Sequence, residues 1–228
     1  MVIFSDRIEE LRPWNNNVSH HLFLESDMNQ DIIDAFPYLS QNDWQRQLDI
    51  DPEKDIHRSY QLFWVWLLKP TYVQKAIDIH PFGSQYYFWV DIGIIRQQPI
   101  DLERWYYQND LPMALQTPHL FIQGMFDFDG TETHKSTKRT SAGVFGGEIP
   151  MCLWYHQAFN ETLFLLNEKT WFFGDDQIVQ TYLVSTQPHH FMFVKVTPKG
   201  EQAGFDVWLS LLYALLGDTE HYRVYNKT

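Results

Sequence analysis

A single cysteine, Cys152, leaves the chain without an intrachain disulfide framework or a multi-cysteine metal site, so nothing calls for an oxidising compartment. Cations are scarce as well. The 17 Lys and Arg residues stand against 29 Asp and Glu, a formal charge of -12. That balance argues against broad nucleic-acid or anionic-membrane binding, which needs a dense positive surface. Long apolar runs are also missing: Leu62 to Leu68 and Val207 to Leu216 fall far short of the roughly 18 residues that span a bilayer. No transmembrane segment is expected. Met1 opens directly on MVIFSD, with no charged leader or cleavage site before it, and the reading is a soluble, cytoplasmic protein. There is no Walker loop, no helix-opening G-x-G-x-x-G, no H-E-x-x-H and no G-x-S-x-G. The easily recognised nucleotide, dinucleotide, zincin and hydrolase readings therefore fall away.

What the chain does have is apolar and aromatic mass. At 228 residues, 44% hydrophobic and 17% aromatic, it can bury a substantial core and reads as one domain over residues 1–228. Its most informative stretch is Pro81 to Arg96, PFGSQYYFWVDIGIIR. The apolar run from Tyr86 to Val90 predicts an inner strand of a sheet covered on both faces, with Tyr87 to Val90 central. The strand would deliver Asp91 to its C-terminal end, where open α/β sheets bind ligands. An Asp in that place can equally cap a helix or make a turn.

Around this strand the patterning predicts an α/β fold. Tyr60, Phe63, Trp64, Leu67 and Leu68 recur at helical spacing, and Pro70 signals a kink or a second helix start just after Lys69. Trp44 is the anchor expected within an irregular region with short helices, Gln30 to Asp51. A polar helix through Leu102, Trp105 and Tyr106 leads to a strand over His119 to Gln123. Gly124 to Ser141 reads as a long loop over a crevice, and its DFDG (Asp127 to Gly130) is a turn or, less simply, an Asp-x-Asp site. Ala142 to Phe145 forms a strand, Gly146 and Gly147 allow a close backbone approach, and Pro150 starts a long helix to Leu166. Asp175 or Asp176 caps the next helix, at whose start both side chains are expected to be exposed on the rim of the cleft, opposite Asp91. A strand over Phe191 to Val196 and a helix over Phe205 to Leu216 follow.

The ordered motifs K-P-x-Y-V at Lys69, HPFGSQYYFWVDIGIIR, AGVFGG at Ala142 and GDDQIVQTYL at Gly174 resemble the HtrL/YibB (WlaTC-like) family of glycosyltransferases, bacterial proteins linked to surface-glycan synthesis. More distantly, AGVF, a helix and GDDQ are similar to glycogenin-type transferases. The resemblance runs from about Arg58 to Leu183. It implies a GT-A fold, a mixed, mostly parallel sheet flanked by helices, here without the first strand. It implies an enzyme moving a sugar from a nucleotide-sugar donor, a UDP-sugar foremost, to a glycan or other hydroxyl acceptor, peripheral to whatever membrane carries that acceptor. Asp91 would bind Mn2+ or Mg2+. Arg58, Lys69 and Arg96 would neutralise the donor diphosphate, Ala142 to Gly147, with Gly143, Gly146 and Gly147, would line the donor sugar, and Asp175, Asp176 and Gln177 would carry the catalysis. The metal motif reads Asp91-Ile92-Gly93, with glycine where a second carboxylate stands, and His189 and His190 are the substitutes for a late histidine ligand. Two other readings stay open: a GT-A-like glycan-binding module without transfer activity, and a metal-dependent phosphohydrolase using Asp91, Asp127 and Asp129.

Overall fold

The computed structural model describes residues 1–11, 22–91, 111–125, 138–197, 200, 208, 210–215, 217 and 220–226. Arg96, the helix expected through Leu102 to Tyr106, and Asp127 and Asp129 lie outside the described residues. The chain opens with β1 (Val2–Ser5), which pairs in parallel with β2 (Leu22–Glu25) across the short helix α1 (Ile8–Leu11). Two capped helices follow. Asp27 caps α2 (Met28–Ala35), and Ser40 with Asp43 forms a reciprocal capping box on α3 (Gln41–Asp49). The short helices expected in this region are these two, and its anchor Trp44 is buried against Phe36, Trp64 and Phe173.

Pro70 does open a second helix. α4 (Gln61–Leu67) ends, and α5 (Lys69–Ile79) begins with proline in its first turn, where a missing N–H leaves no bond unmade. The remaining strands are β3 (Tyr86–Val90), β4 (Leu120–Gly124), β5 (Thr140–Glu148), β6 (Phe191–Val196) and β7 (Tyr222–Asn226). Between them run α6 (Ile149–Glu168), α7 (Asp176–Thr186) and α8 (Ser210–Leu215). They form one five-stranded sheet in the order β3-β5-β4-β6-β7.

This sheet is mixed, and two expectations about it are corrected. β5 runs antiparallel between β3 and β4, so within the five-stranded sheet only β4 and β6 are parallel neighbours, not most of the sheet. Among the described residues β3 is an edge strand, half-buried throughout, rather than a central one. Its unbroken apolar run has a simple cause: Tyr87 and Trp89 pack on the core beneath α4 to α7, while Phe88 and Val90 pack on a second core beneath α8. Both faces are covered. The fully buried strand is β4, between β5 and β6.

The direction of the strands survives the correction. β3, β4 and β6 all point one way, so Asp91, Gly124 and the end of β6 lie along the same edge of the sheet. His189 and His190 precede β6 and therefore sit at the other edge, where the His190 ring lies against Trp154 with centroids 4.0 Å apart. The glycine pair is explained by its neighbours. A Cβ on Gly146 would lie 2.1 Å from the Tyr87 carbonyl oxygen, and one on Gly147 would lie 2.6 Å from that of His119. What approaches the backbone at each glycine is an adjacent strand. Gly146→Ala should therefore cost about 1–3 kcal/mol by overpacking, read as a lowered urea midpoint; an unchanged midpoint would contradict the pairing of β3 with β5.

Candidate active site

The site is built around a buried ammonium. Lys69 is the first residue of α5, and its Nζ lies 3.0 Å from Asp91 Oδ2, 2.8 Å from Asp176 Oδ2 and 3.3 Å from the carbonyl oxygen of Ala142. Its side chain is 4% exposed. A lysine has three N–H donors, and here three oxygens from three different elements surround them. The contact with Asp176 is an ion pair rather than an aligned hydrogen bond, because Asp176 Oδ2 has no hydrogen-bond partner.

Each element is bent to this point for a local reason. β4 and β5 slip in register between Ile122 and Gln123, passing from Ile122↔Phe145 to Gln123↔Ser141. The extra residues on β5 are Ala142 to Val144, an irregularity that turns the Ala142 carbonyl toward Lys69. β3 continues one residue beyond its last pair: the Asp91 N–H donates to the Gly143 carbonyl at 2.8 Å. Trp89, two residues earlier and hence on the same face, donates its indole N–H to Asp91 Oδ1 at 2.6 Å. α7 begins at Asp176 and is capped by Asp175, whose Oδ1 accepts from the Gln177 N–H at 2.7 Å.

A second lysine extends the network. Lys138 Nζ lies 2.6 Å from Asp175 Oδ2 and 2.6 Å from Glu53 Oε2. Glu53 in turn lies 3.9 Å from His57 Nε2, and His57 Nδ1 bonds Asp51 Oδ2 at 2.6 Å. The acids thus outnumber the cations, but the balance includes two helix starts, since α5 and α7 both point their positive dipole ends at this cluster. An ammonium at the start of α5 opposes that dipole. The carboxylates of Asp91, Asp175 and Asp176 answer both.

Protonation follows burial. Desolvation raises the Asp176 carboxyl to about 7, with Asp175 and Asp91 adding to the shift and Lys69 opposing it. Burial pulls Lys69 down, but Asp176 and Asp91 together outweigh it and hold the ammonium above its ordinary range. Lys138 is also raised, burial being outweighed by Asp175 and Glu53.

The sequence-derived residues divide accordingly. Lys69, Asp91 and Asp176 meet directly, with Asp175 beside them. Asp175 and Asp176 are buried, at 4% and 5%, so a helix start did not expose them as expected; Gln177 is half-exposed. Of the three groups joined through Lys69, Asp91 is the one that reaches solvent, with 35% of its side chain exposed. Gly143 accepts from Asp91, whereas Gly146 and Gly147 are buried between strands. Arg58 is exposed ahead of α4. Sequence reasoning missed Trp89, Lys138, Glu53 and the Asp51–His57 pair. The two-residue spacing of Trp89 and Asp91 was a usable signal; for Lys138, lost in a charged run, there was none.

A divalent ion does not fit these residues. Asp91 already gives one oxygen to Trp89 and the other to Lys69, and among the described residues no group of three or more His, Cys, Asp or Glu could hold a metal. Among the described residues no helix is long and apolar enough to cross a membrane. No protein-family model matches the chain, nor does any curated protein or solved structure.

Two measurements check this electrostatic picture. Carbon-detected NMR should show the Asp176 carboxyl titrating near pH 7 rather than near 3.8. Because the folded state holds that proton more tightly than the unfolded one, Asp176 withdraws stability as pH rises from about 4 to 7, and Asp176→Asn should gain on the parent protein across that window. Lys69→Met keeps the apolar stem and removes the charge that the carboxylates face. It should cost about 3–5 kcal/mol in urea unfolding, and a loss below 1 kcal/mol would mean that the ammonium is not buried as described.

Proposed function

We propose that this chain is a GT-A-like glycosyltransferase that moves a sugar from a nucleotide-sugar donor to a hydroxyl acceptor, with Asp91 as the carboxylate that meets substrate. One observation carries the reading. The four ordered motifs of the chain converge on one atom: Lys69 of K-P-x-Y-V contacts Asp91 at the end of the WVD strand, Ala142 at the start of AGVFGG and Asp176 of GDDQ. Motifs that meet at the carboxyl edge of parallel strands occupy the place where open α/β sheets bind ligands.

In such a transfer the bond from the anomeric carbon to the diphosphate oxygen breaks, the acceptor oxygen bonds to that carbon, and the acceptor proton must leave. Asp91 is held for receiving it. Trp89 and Lys69 fix its two oxygens, and its exposure lets a hydroxyl reach it. Asp176 contacts the same Lys69 ammonium and, through it, helps to fix Asp91 in place. The role first given to Lys69, direct neutralisation of the diphosphate, sits poorly with a buried ammonium that already faces two carboxylates. In this reading it is a positioning residue, as is Asp175 through Lys138.

The same engagement favours a second reading, a hydroxyl-binding glycan module, because the described site offers carboxylates to sugar hydroxyls and no free ammonium to a phosphate. Calorimetric titration with UDP, GDP and free sugars separates the two. The transferase reading expects UDP or GDP to bind, donor turnover, and a fall of about 10²- to 10⁴-fold in turnover for Asp91→Asn. Binding of free sugars with no affinity for either nucleotide would replace it with the module.

A further inference from the structure

We propose that the Lys69 ammonium occupies the position of a divalent cation in this site, so that the chain supplies its own cation and the site works without a metal. Only the statement about turnover rests on the transferase reading above; the cation-site inference stands on geometry alone.

The ligand set around Lys69 Nζ is that of a hard cation: two carboxylates and one backbone carbonyl, all oxygen. The three come from a strand end, a strand irregularity and a helix start, the arrangement by which folds assemble an ion cage. Its dimensions are those of an ammonium. The oxygens stand 2.8 to 3.3 Å from nitrogen, whereas Mg2+ and Ca2+ hold oxygens at about 2.0–2.6 Å. A divalent ion would have to contract the cage and expel Lys69. The lysine stem is buried at the first turn of α5, with the residue 3% exposed. The other oxygen of Asp91, Oδ1, already accepts the Trp89 indole N–H at 2.6 Å. The sequence agrees with the geometry: glycine stands at position 93, so the motif brings one carboxylate where a metal-binding Asp-x-Asp brings two.

The test is Mn2+ titration followed by electron paramagnetic resonance of the free ion. In the parent protein the only uptake expected is weak and diffuse, from a chain of net charge -12, and Asp91→Asn should leave it unchanged within about twofold. Parent protein binding Mn2+ at least tenfold more tightly than Asp91→Asn would overturn the proposal. Lys69→Met vacates the cage, and should gain a Mn2+ site at least tenfold tighter than any in the parent, lost again in the Lys69→Met, Asp91→Asn double variant. A folded Lys69→Met protein without that gain would also overturn it. If Lys69→Met does not fold, the comparison of parent with Asp91→Asn still decides. Turnover separates this inference from the reading beneath it. Donor turnover that persists in EDTA supports both, turnover that falls tenfold in EDTA removes the internal cation and leaves the transferase, and absent turnover with the Mn2+ results as expected removes the transferase and leaves the internal cation.

Discussion

The structure depends on a charge that cannot be left alone. A lysine at the start of α5 carries its ammonium into a region that is 4% open to water and faces the positive ends of two helices. Removing one member of a buried pair strands the other at a cost of several kcal/mol. The placement of Lys69 therefore dictates the placement of its partners. Asp91 must stand at the end of β3, Asp176 at the start of α7, and β5 must deform to present a carbonyl. Because burial and three oxygens define the ammonium's position, they define that of Asp91 also.

Asp91 is held from a second direction by aromatic packing. Trp89 stacks with Tyr72, and Tyr72 stacks with Phe4 of β1, at centroid distances of 6.3 and 4.8 Å. The Tyr72 hydroxyl meets Asp31 and Ser26, where Lys75 completes an ion pair with Asp31. Burial raises the Asp31 carboxyl, but the hydrogen bonds from Lys75, Ser26 and Tyr72 outweigh it and keep the group below its usual range. The column joins the small two-stranded sheet to the strand that bears Asp91. It also explains why the run before Asp91 is aromatic rather than aliphatic: flat rings at an edge strand give stacking area and, in Trp89, a donor.

Much of this was legible in the chain. The break at Pro70, the long helix after Pro150, the helix capped at Asp175 and the strand over Phe191 to Val196 follow from period, proline and capping, all local signals. The order of strands is not local. The run Tyr86 to Val90 reads as central because both its faces are apolar, and nothing in it records that among the described residues only β5 pairs with it. Gly146 and Gly147 announce a close approach without saying whether a ligand or a strand makes it. Within the site, Asp91 was found because a lone carboxylate ends an apolar run. Burial of Lys69 and Asp176 could not be read, since each is buried only by virtue of the other.

That mutual burial has a consequence for the order in which the molecule assembles. Lys69 lies in the first third of the chain and Asp176 in the last third, with β3, β5 and α6 between them. During synthesis from the N-terminus, α4 and α5 emerge long before the carboxylate that completes the ammonium's surroundings. Until α7 arrives, burying the start of α5 would leave a cation short of one partner, so that end of the helix stays open to water while the rest of its apolar face can already collapse. Closure of the core over Lys69 therefore needs α7 in place, since Asp176 at its start supplies one of the three oxygens around the ammonium.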